Sequence, residues 1–332
     1  MNEFVLPLPD DFHIHLRQDQ ALAFYAQDIA KQFGRVLVMP NTLPPLTSVQ
    51  SILNYKKAIQ EAAPRLETLL SFKIHPQLKL QDLEDFKKIG VLIGKYYPAG
   101  ATTNSEDGIS DLEYIFPVLS MMEDLDIVLS VHGEEPSAFC LDREAAFIPK
   151  VQLLTEKFPK LRIVFEHLSS AKAVQAVLDM PDTVAATITV HHLTMTLDDL
   201  IGENLMPHHF CKPIVKTPED REAIRQAAFS GNKKFFFGSD SAPHLKEKKE
   251  SFCGAAGIYS APVILPILMQ EFEKEDKLNR LANFVAGFGA DFYGIARSTQ
   301  SIRLIRKEWQ VPLQIHGVVP LAAGQTLQWS LA

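Results

Sequence analysis

Eight short apolar runs recur along the chain, each handing over to polar residues and then to a stretch with helical periodicity. They are Phe12–Leu16, Arg35–Met39, Thr68–Ile74, Val91–Tyr96, Ile127–Val131, Arg162–Phe165, Val184–Val190 and Lys234–Phe237. Runs this short, rich in Val, Ile, Leu and Phe, suit strands buried on both faces, the situation of a parallel sheet covered by helices. Between them, Val49, Ile52, Leu53 and Ile59 share one helical face. Leu112, Ile115, Phe116 and Leu119 do the same, with Pro117 expected to bend that helix. Thr217-Pro218-Glu219-Asp220 reads as a helix start, with a hydroxyl cap, a first-turn proline and acids at the positive dipole end. The pattern predicts an α/β fold, a (β/α)8 TIM barrel with its strand-helix units over about 11–240. Helices at about 258–332 would pack on it, with Phe284, Phe288, Phe292 and Tyr293 on a packed helix, so that 1–332 forms a single domain.

In such barrels chemistry sits at the C-terminal ends of the strands. Reading off those ends gives His13 and His15, Asn41, His75, Lys95, His132, His167, His191 and His192, and Asp240. Random placement of 11 histidines would rarely do this. His13 and His15 stand two apart on a strand and therefore face the same way. An HxH pair alone is a weak metal signal, but His132, His167 and Asp240 strengthen it. Asp240 follows three phenylalanines at once, and a buried carboxylate there requires a partner, for which ligation is a standard solution. Imidazoles with a carboxylate suit zinc. Lys95 ends an apolar strand, and taken alone it reads as a lysine snorkelling to the strand end. Buried beside cations it would become a neutral amine, which can take up carbon dioxide as a carbamate able to bridge two metals.

Composition narrows the partners. A net charge of −7 with no long Lys/Arg block leaves nucleic acid without a docking stripe. The longest apolar region, 255–269, is broken by Pro262 and Pro266, so no membrane segment is expected, and residues 1–4 do not resemble a signal peptide. Cys140, Cys211 and Cys253 are scattered without a CxxC pair, which argues for a reducing, cytoplasmic setting and against a disulfide scaffold or a thiolate zinc site.

The motifs Asp11-Phe-His13-Ile-His15-Leu-Arg17, Met39-Pro-Asn41-Thr, Lys95-Tyr-Tyr-Pro98-Ala-Gly-Ala-Thr102-Thr103-Asn104-Ser, Val-His132-Gly-Glu, Phe-Glu-His167 and Gly-Ser-Asp240-Ser-Ala-Pro-His244 run in order along the chain. Together they resemble the dihydroorotases, in particular the short, bacterial-type class of the amidohydrolase superfamily, a metallo-dependent hydrolase barrel. The resemblance implies two zinc ions bridged by a carboxylated Lys95, with His13, His15 and Asp240 completing one site and His132 and His167 the other. It implies a hydroxide between the metals and Asp240 as general acid/base, closing N-carbamoyl-L-aspartate to (S)-dihydroorotate with loss of water, the third step of pyrimidine biosynthesis. Arg17, Asn41 and His244 would hold the substrate carboxylate, Thr102 and Thr103 would close over it on a mobile loop, and Lys212 and Ala256 would contact it. A homodimer is the family expectation.

Two positions depart from the pattern: Gln18 stands where many relatives carry an acid, and Gly100 where many carry asparagine. His75, His191, His192, His208, His209 and His316 lie outside the ligand pattern and read as local hydrogen-bonding or surface residues. The alternatives are another cyclic-amide hydrolase, of hydantoinase or allantoinase type, and a catalytically inactive barrel scaffold. The first usually carries a small β-domain built partly from residues before the HxH strand, and 12 residues before His13 leave no room for one. The second should have lost ligands that this chain keeps.

Overall fold

The computed structural model describes residues 2–101 and 108–332. After an N-terminal strand β1 (Glu3–Pro7) come eight parallel strands, β2 (Asp10–Ile14), β3 (Arg35–Val38), β4 (Glu67–Lys73), β5 (Val91–Tyr96), β6 (Val128–Val131), β7 (Ile163–Phe165), β8 (Val184–Ile188) and β9 (Phe235–Phe237). They pair in sequence order in one eight-stranded sheet. Each overlaps one of the eight apolar runs, and nearly every residue in them is buried. The sheet closes where β9 meets β2: the Asp240 amide donates to the His13 carbonyl at 2.7 Å, and the His15 amide to the Ser241 carbonyl at 3.0 Å. This is a (β/α)8 barrel.

Alternate side chains along the strands fill its interior. Phe12, Ile93, Val128, Val164 and Phe236 form an apolar layer with Tyr293. Tyr293 stacks on Phe12 with ring centroids 5.0 Å apart. Gly289 is required here, since a Cβ would come within 2.2 Å of the Phe12 ring. The expected packed helix is in fact two, Leu278–Ala286 and Phe288–Tyr293, separated at Gly287.

The helix signals divide. Thr217 caps the helix Pro218–Phe229 in a capping box with Asp220. Pro117 does not bend a helix: a 3-10 turn, Leu112–Ile115, gives way to an α-helix, Phe116–Asp124, whose first turn holds the proline where its missing N–H costs nothing. Leu53 is exposed, and Tyr55 joins Ile52 and Ile59 on the buried face instead.

The expectation of no β-unit before the HxH strand is overturned. β1 pairs antiparallel with β10 (Ser301–Gln310), which pairs with β11 (Thr326–Leu331). Five residues suffice for an edge strand when the partners come from the other end of the chain. The 258–332 region is accordingly part helix and part sheet, with the Trp329 indole buried against the helix Ile264–Lys274 and donating to Glu273 at 3.1 Å.

Candidate active site at the barrel mouth

Past β2, the strand's alternation and closure against β9 bring His13, His15 and Asp240 together. His15 Nε2 lies 3.1 Å and His13 Nε2 3.5 Å from Asp240 Oδ1. Their donor atoms form a group compact enough to hold one metal ion. His13 turns its other nitrogen, Nδ1, onto the Glu166 carboxylate at 2.8 Å, which fixes the ring and leaves Nε2 as the lone-pair nitrogen. Glu166 is buried and held by Ser130 and by Thr187 Oγ1 at 2.6 Å. Burial alone would raise its pKa, but the charges of His13 and Lys95 and the hydrogen bonds bring it down to about 2.

His132 and His167 form a second pair across the mouth. His132 Nδ1 faces His167 Nε2 at 3.1 Å, while His132 Nε2 meets Glu134 Oε2 at 2.7 Å. With Nε2–H donating to Glu134, Nδ1 carries a lone pair, and two facing ring nitrogens need a proton or a metal ion between them. Burial, then neighbouring positive groups, holds the His167 imidazole far below its usual range, so the ring is neutral, and its one proton on Nδ1 would leave both facing nitrogens with lone pairs for a metal ion. Between the two pairs lies Lys95, wholly buried, its Nζ without a hydrogen-bond partner among the described residues. Burial pushes its amine down to about 8 against the pull of Glu166 and Asp240. An orphaned amine beneath two histidine pairs fits a metal centre: it needs a polar ligand that no described side chain supplies.

The backbone is bent to make this arrangement. Arg17, His167 and Asp240 have positive φ of 62°, 44° and 44°. For non-glycine residues such backbone costs about 1–3 kcal/mol each and is typical of functional sites. The cavity at the mouth is lined by every expected site residue except Lys95, which is fully buried, and Thr102 and Thr103, which fall outside the described residues. Arg17 donates from Nε to the Pro243 carbonyl at 3.0 Å and meets His244 Nε2 at 2.9 Å. Burial and then the Arg17 charge push His244 down to about 3, so it is neutral and accepts from the guanidinium. Among the described residues no carboxylate pairs with Arg17. Gly257, beside Ala256, has φ 143° and approaches the Ala242 carbonyl so closely that a Cβ would sit 2.5 Å from that oxygen.

The amidohydrolase family model matches residues 5–302. The dihydroorotase of Coxiella burnetii is 44% identical over 342 aligned residues, spanning 100% of this chain and 98% of that one. The chain belongs to the dihydroorotase family. Among solved structures, the dihydroorotase of Saccharomyces cerevisiae in complex with 5-fluoroorotic acid superposes with a TM-score of 0.95 at 34% identity, covering 100% of this chain and 99% of that one. The dihydroorotase of Campylobacter jejuni gives 0.93 at 39%, covering 99% and 97%. These full-length matches do the work that the overturned β-unit argument could not do, separating this family from other cyclic-amide hydrolases. They make the chain a metal-dependent hydrolase of cyclic amides.

Sequence reasoning missed Glu166, Glu134 and Tyr97, whose ring centroid lies 5.4 Å from Lys95 Nζ. Glu166 was legible: it is two residues beyond inward-facing Val164, so alternation points it into the barrel. The remaining histidines behave as expected at five positions, where His75 binds Gln77, His192 binds Thr189 and the Pro213 carbonyl, and His208, His209 and His316 bind Glu250, the Asp199 carbonyl and Asp28. His191 does not: it is fully buried, with neither ring nitrogen hydrogen-bonded among the described residues. No helix among the described residues is long and apolar enough to cross a membrane.

Proposed function

We propose that the chain interconverts N-carbamoyl-L-aspartate and dihydroorotate, with two zinc ions and a carboxylated Lys95 at the barrel mouth. The observation that carries this reading is Lys95, a buried amine lowered to about 8 and flanked by His13/His15/Asp240 on one side and His132/His167 on the other. His13, His15 and Asp240 would hold one ion, His132 and His167 the other, and the Lys95 carbamate both. When bound, the ions supply Lewis acidity and an activated water at neutral pH.

The chain's own residues do the rest. Glu166 and Glu134 orient His13 and His132 by taking their far nitrogens. Asp240 stays ionised: burial opposes this, but the His15 hydrogen bond and the His13 charge outweigh it. It can therefore take the proton from the attacking water and return it to the ring nitrogen as the amide C–N bond breaks. In the reverse direction it takes that nitrogen's proton as the ring closes and water departs. Arg17, partly buried and without a carboxylate of its own among the described residues, is the natural partner for the ring carboxylate, with Asn41 and His244 beside it. Lys212 and Ala256 are proposed to contact the substrate from the wall of the cavity. We take the working form as a cytoplasmic homodimer acting in pyrimidine synthesis.

The test is absorbance-monitored hydrolysis of dihydroorotate by purified protein, with metal content measured on the same sample. Turnover, with Asp240→Asn reducing it by roughly 10²–10⁴-fold or more, is the expected result. Bound metal without turnover of dihydroorotate would overturn the substrate assignment.

A further inference from the structure

β8 runs into a short helix, Val190–Thr194, that carries His191 and His192. Both are buried, and so is Cys211, which follows the single turn Pro207–His209. None of the three is used in the chemistry above. Their donor atoms nevertheless all lie within 4.8 Å of one another. Cys211 Sγ is 4.0 Å from His192 Nε2, and both atoms converge on the Pro213 carbonyl oxygen, at 3.2 and 2.9 Å. Donors around a tetrahedral zinc ion lie roughly 3.3–3.6 Å apart, so adjustments of about an ångström would close the set. Thr189 Oγ1, 2.9 Å from His192 Nδ1, stands where a metal-bound histidine rests its far nitrogen.

His191 supplies the independent sign. A fully buried imidazole with both nitrogens unpartnered among the described residues leaves two desolvated polar groups unmet unless something binds it. We propose that His191, His192, Cys211 and the Pro213 carbonyl form a further metal site, separate from the barrel mouth and suited to a borderline divalent ion such as zinc. Binding would break the Cys211 S–H bond, release that proton to solvent, and move the His192 proton from Nε2 to Nδ1, where Thr189 Oγ1 accepts it. The net release is one proton per ion. The thiolate so formed would offset the charge of Lys249, whose amine is bound close by to the Phe210 and Gly257 carbonyls. The site would clip the end of β8 to the loop presenting Lys212, a residue of the mouth. The missing CxxC pair does not forbid this, because the ligands come from two segments the fold brings together.

The probe is cobalt(II), titrated into metal-free full-length protein and followed by absorption. The mouth offers nitrogen and oxygen donors only, so a sulfur-to-cobalt charge-transfer band in the near ultraviolet reports a thiolate outside it, and variants of Cys140 and Cys253 isolate Cys211. The expected result is that band in the native protein, retained in the double variant Cys140→Ser/Cys253→Ser and lost in Cys211→Ser, with one metal equivalent fewer in the latter. Absence of the band from the native protein, or its loss in Cys140→Ser/Cys253→Ser, overturns the proposal. The double variant, whose only thiol is Cys211, decides even if Cys211→Ser does not fold, and none of these readouts depends on the reaction proposed for the mouth.

Discussion

Two arginines sit at opposite ends of the same pair of strands and show what the barrel does with charge. Arg35 opens β3 and grips Asp10, at the start of β2, through two hydrogen bonds of 2.8 and 2.7 Å. Arg17, just beyond the other end of β2, binds a backbone carbonyl and a neutral histidine, and no carboxylate among the described residues. At the closed end of the barrel the cation is matched within the protein. At the mouth it is left for an anion to arrive. The difference teaches that an ion pair complete within the chain serves the fold, whereas a nearly buried cation lacking its counter-ion marks a place for substrate.

Removing Asp10 should break the first half of the comparison most severely. Burial outweighs the pull of Arg35 and keeps the Asp10 carboxyl above its ordinary range, so the pair adds little net stability. Losing one partner is different, because Arg35 would remain in a largely buried place without compensation. Asp10→Ala should destabilise by about 3–5 kcal/mol in denaturant titration. The folded fraction should keep its KM. A KM shift larger than the stability loss would mean that the two ends are coupled.

Arg17→Met should give the inverse pattern. Removing a cation with no carboxylate partner should leave the denaturation midpoint unchanged or slightly raised. Losing a charge-assisted contact worth about 1.5–3 kcal/mol should raise KM for dihydroorotate by roughly 10–100-fold. Arg17→Lys should recover only part of this, since an ammonium cannot reproduce the planar two-point grip. A large stability loss in Arg17→Met with unchanged KM would place Arg17 among the structural charges and dissolve the contrast.

The same distinction explains what the sequence revealed. The eight strands were legible because burial on both faces leaves continuous apolar runs, and each run overlaps a strand. His13, His15, His132, His167 and Asp240 were legible because barrel topology places strand ends together, and the structure gathers all five on the lining of one cavity. Leu53 was misread because helical periodicity names a face without saying how wide the buried stripe is. The place of β1 in the β1–β10–β11 sheet was missed because it pairs with residues about 300 further along the chain, which no local pattern records. His191 was assigned to routine hydrogen bonding because its lack of partners emerges only when the packing around it is known.

The smallest effect tests whether internally satisfied polar groups are structural away from both ends. Thr217 Oγ1 accepts from the Asp220 amide, and Asp220 returns its carboxylate to Thr217 while also accepting from the Ala171 amide at 2.8 Å. The cap thus joins the start of the helix Pro218–Phe229 to the start of the helix Ala171–Asp179. Thr217→Ala should cost about 1 kcal/mol, read as a lower denaturation midpoint, and Thr217→Ser should restore most of it. Neither should move KM, because every polar group involved already has its partner inside the fold. If Thr217→Ala did raise KM, the outer helices would be positioning the mouth, and a satisfied hydrogen bond could no longer be taken as a mark of a purely structural role.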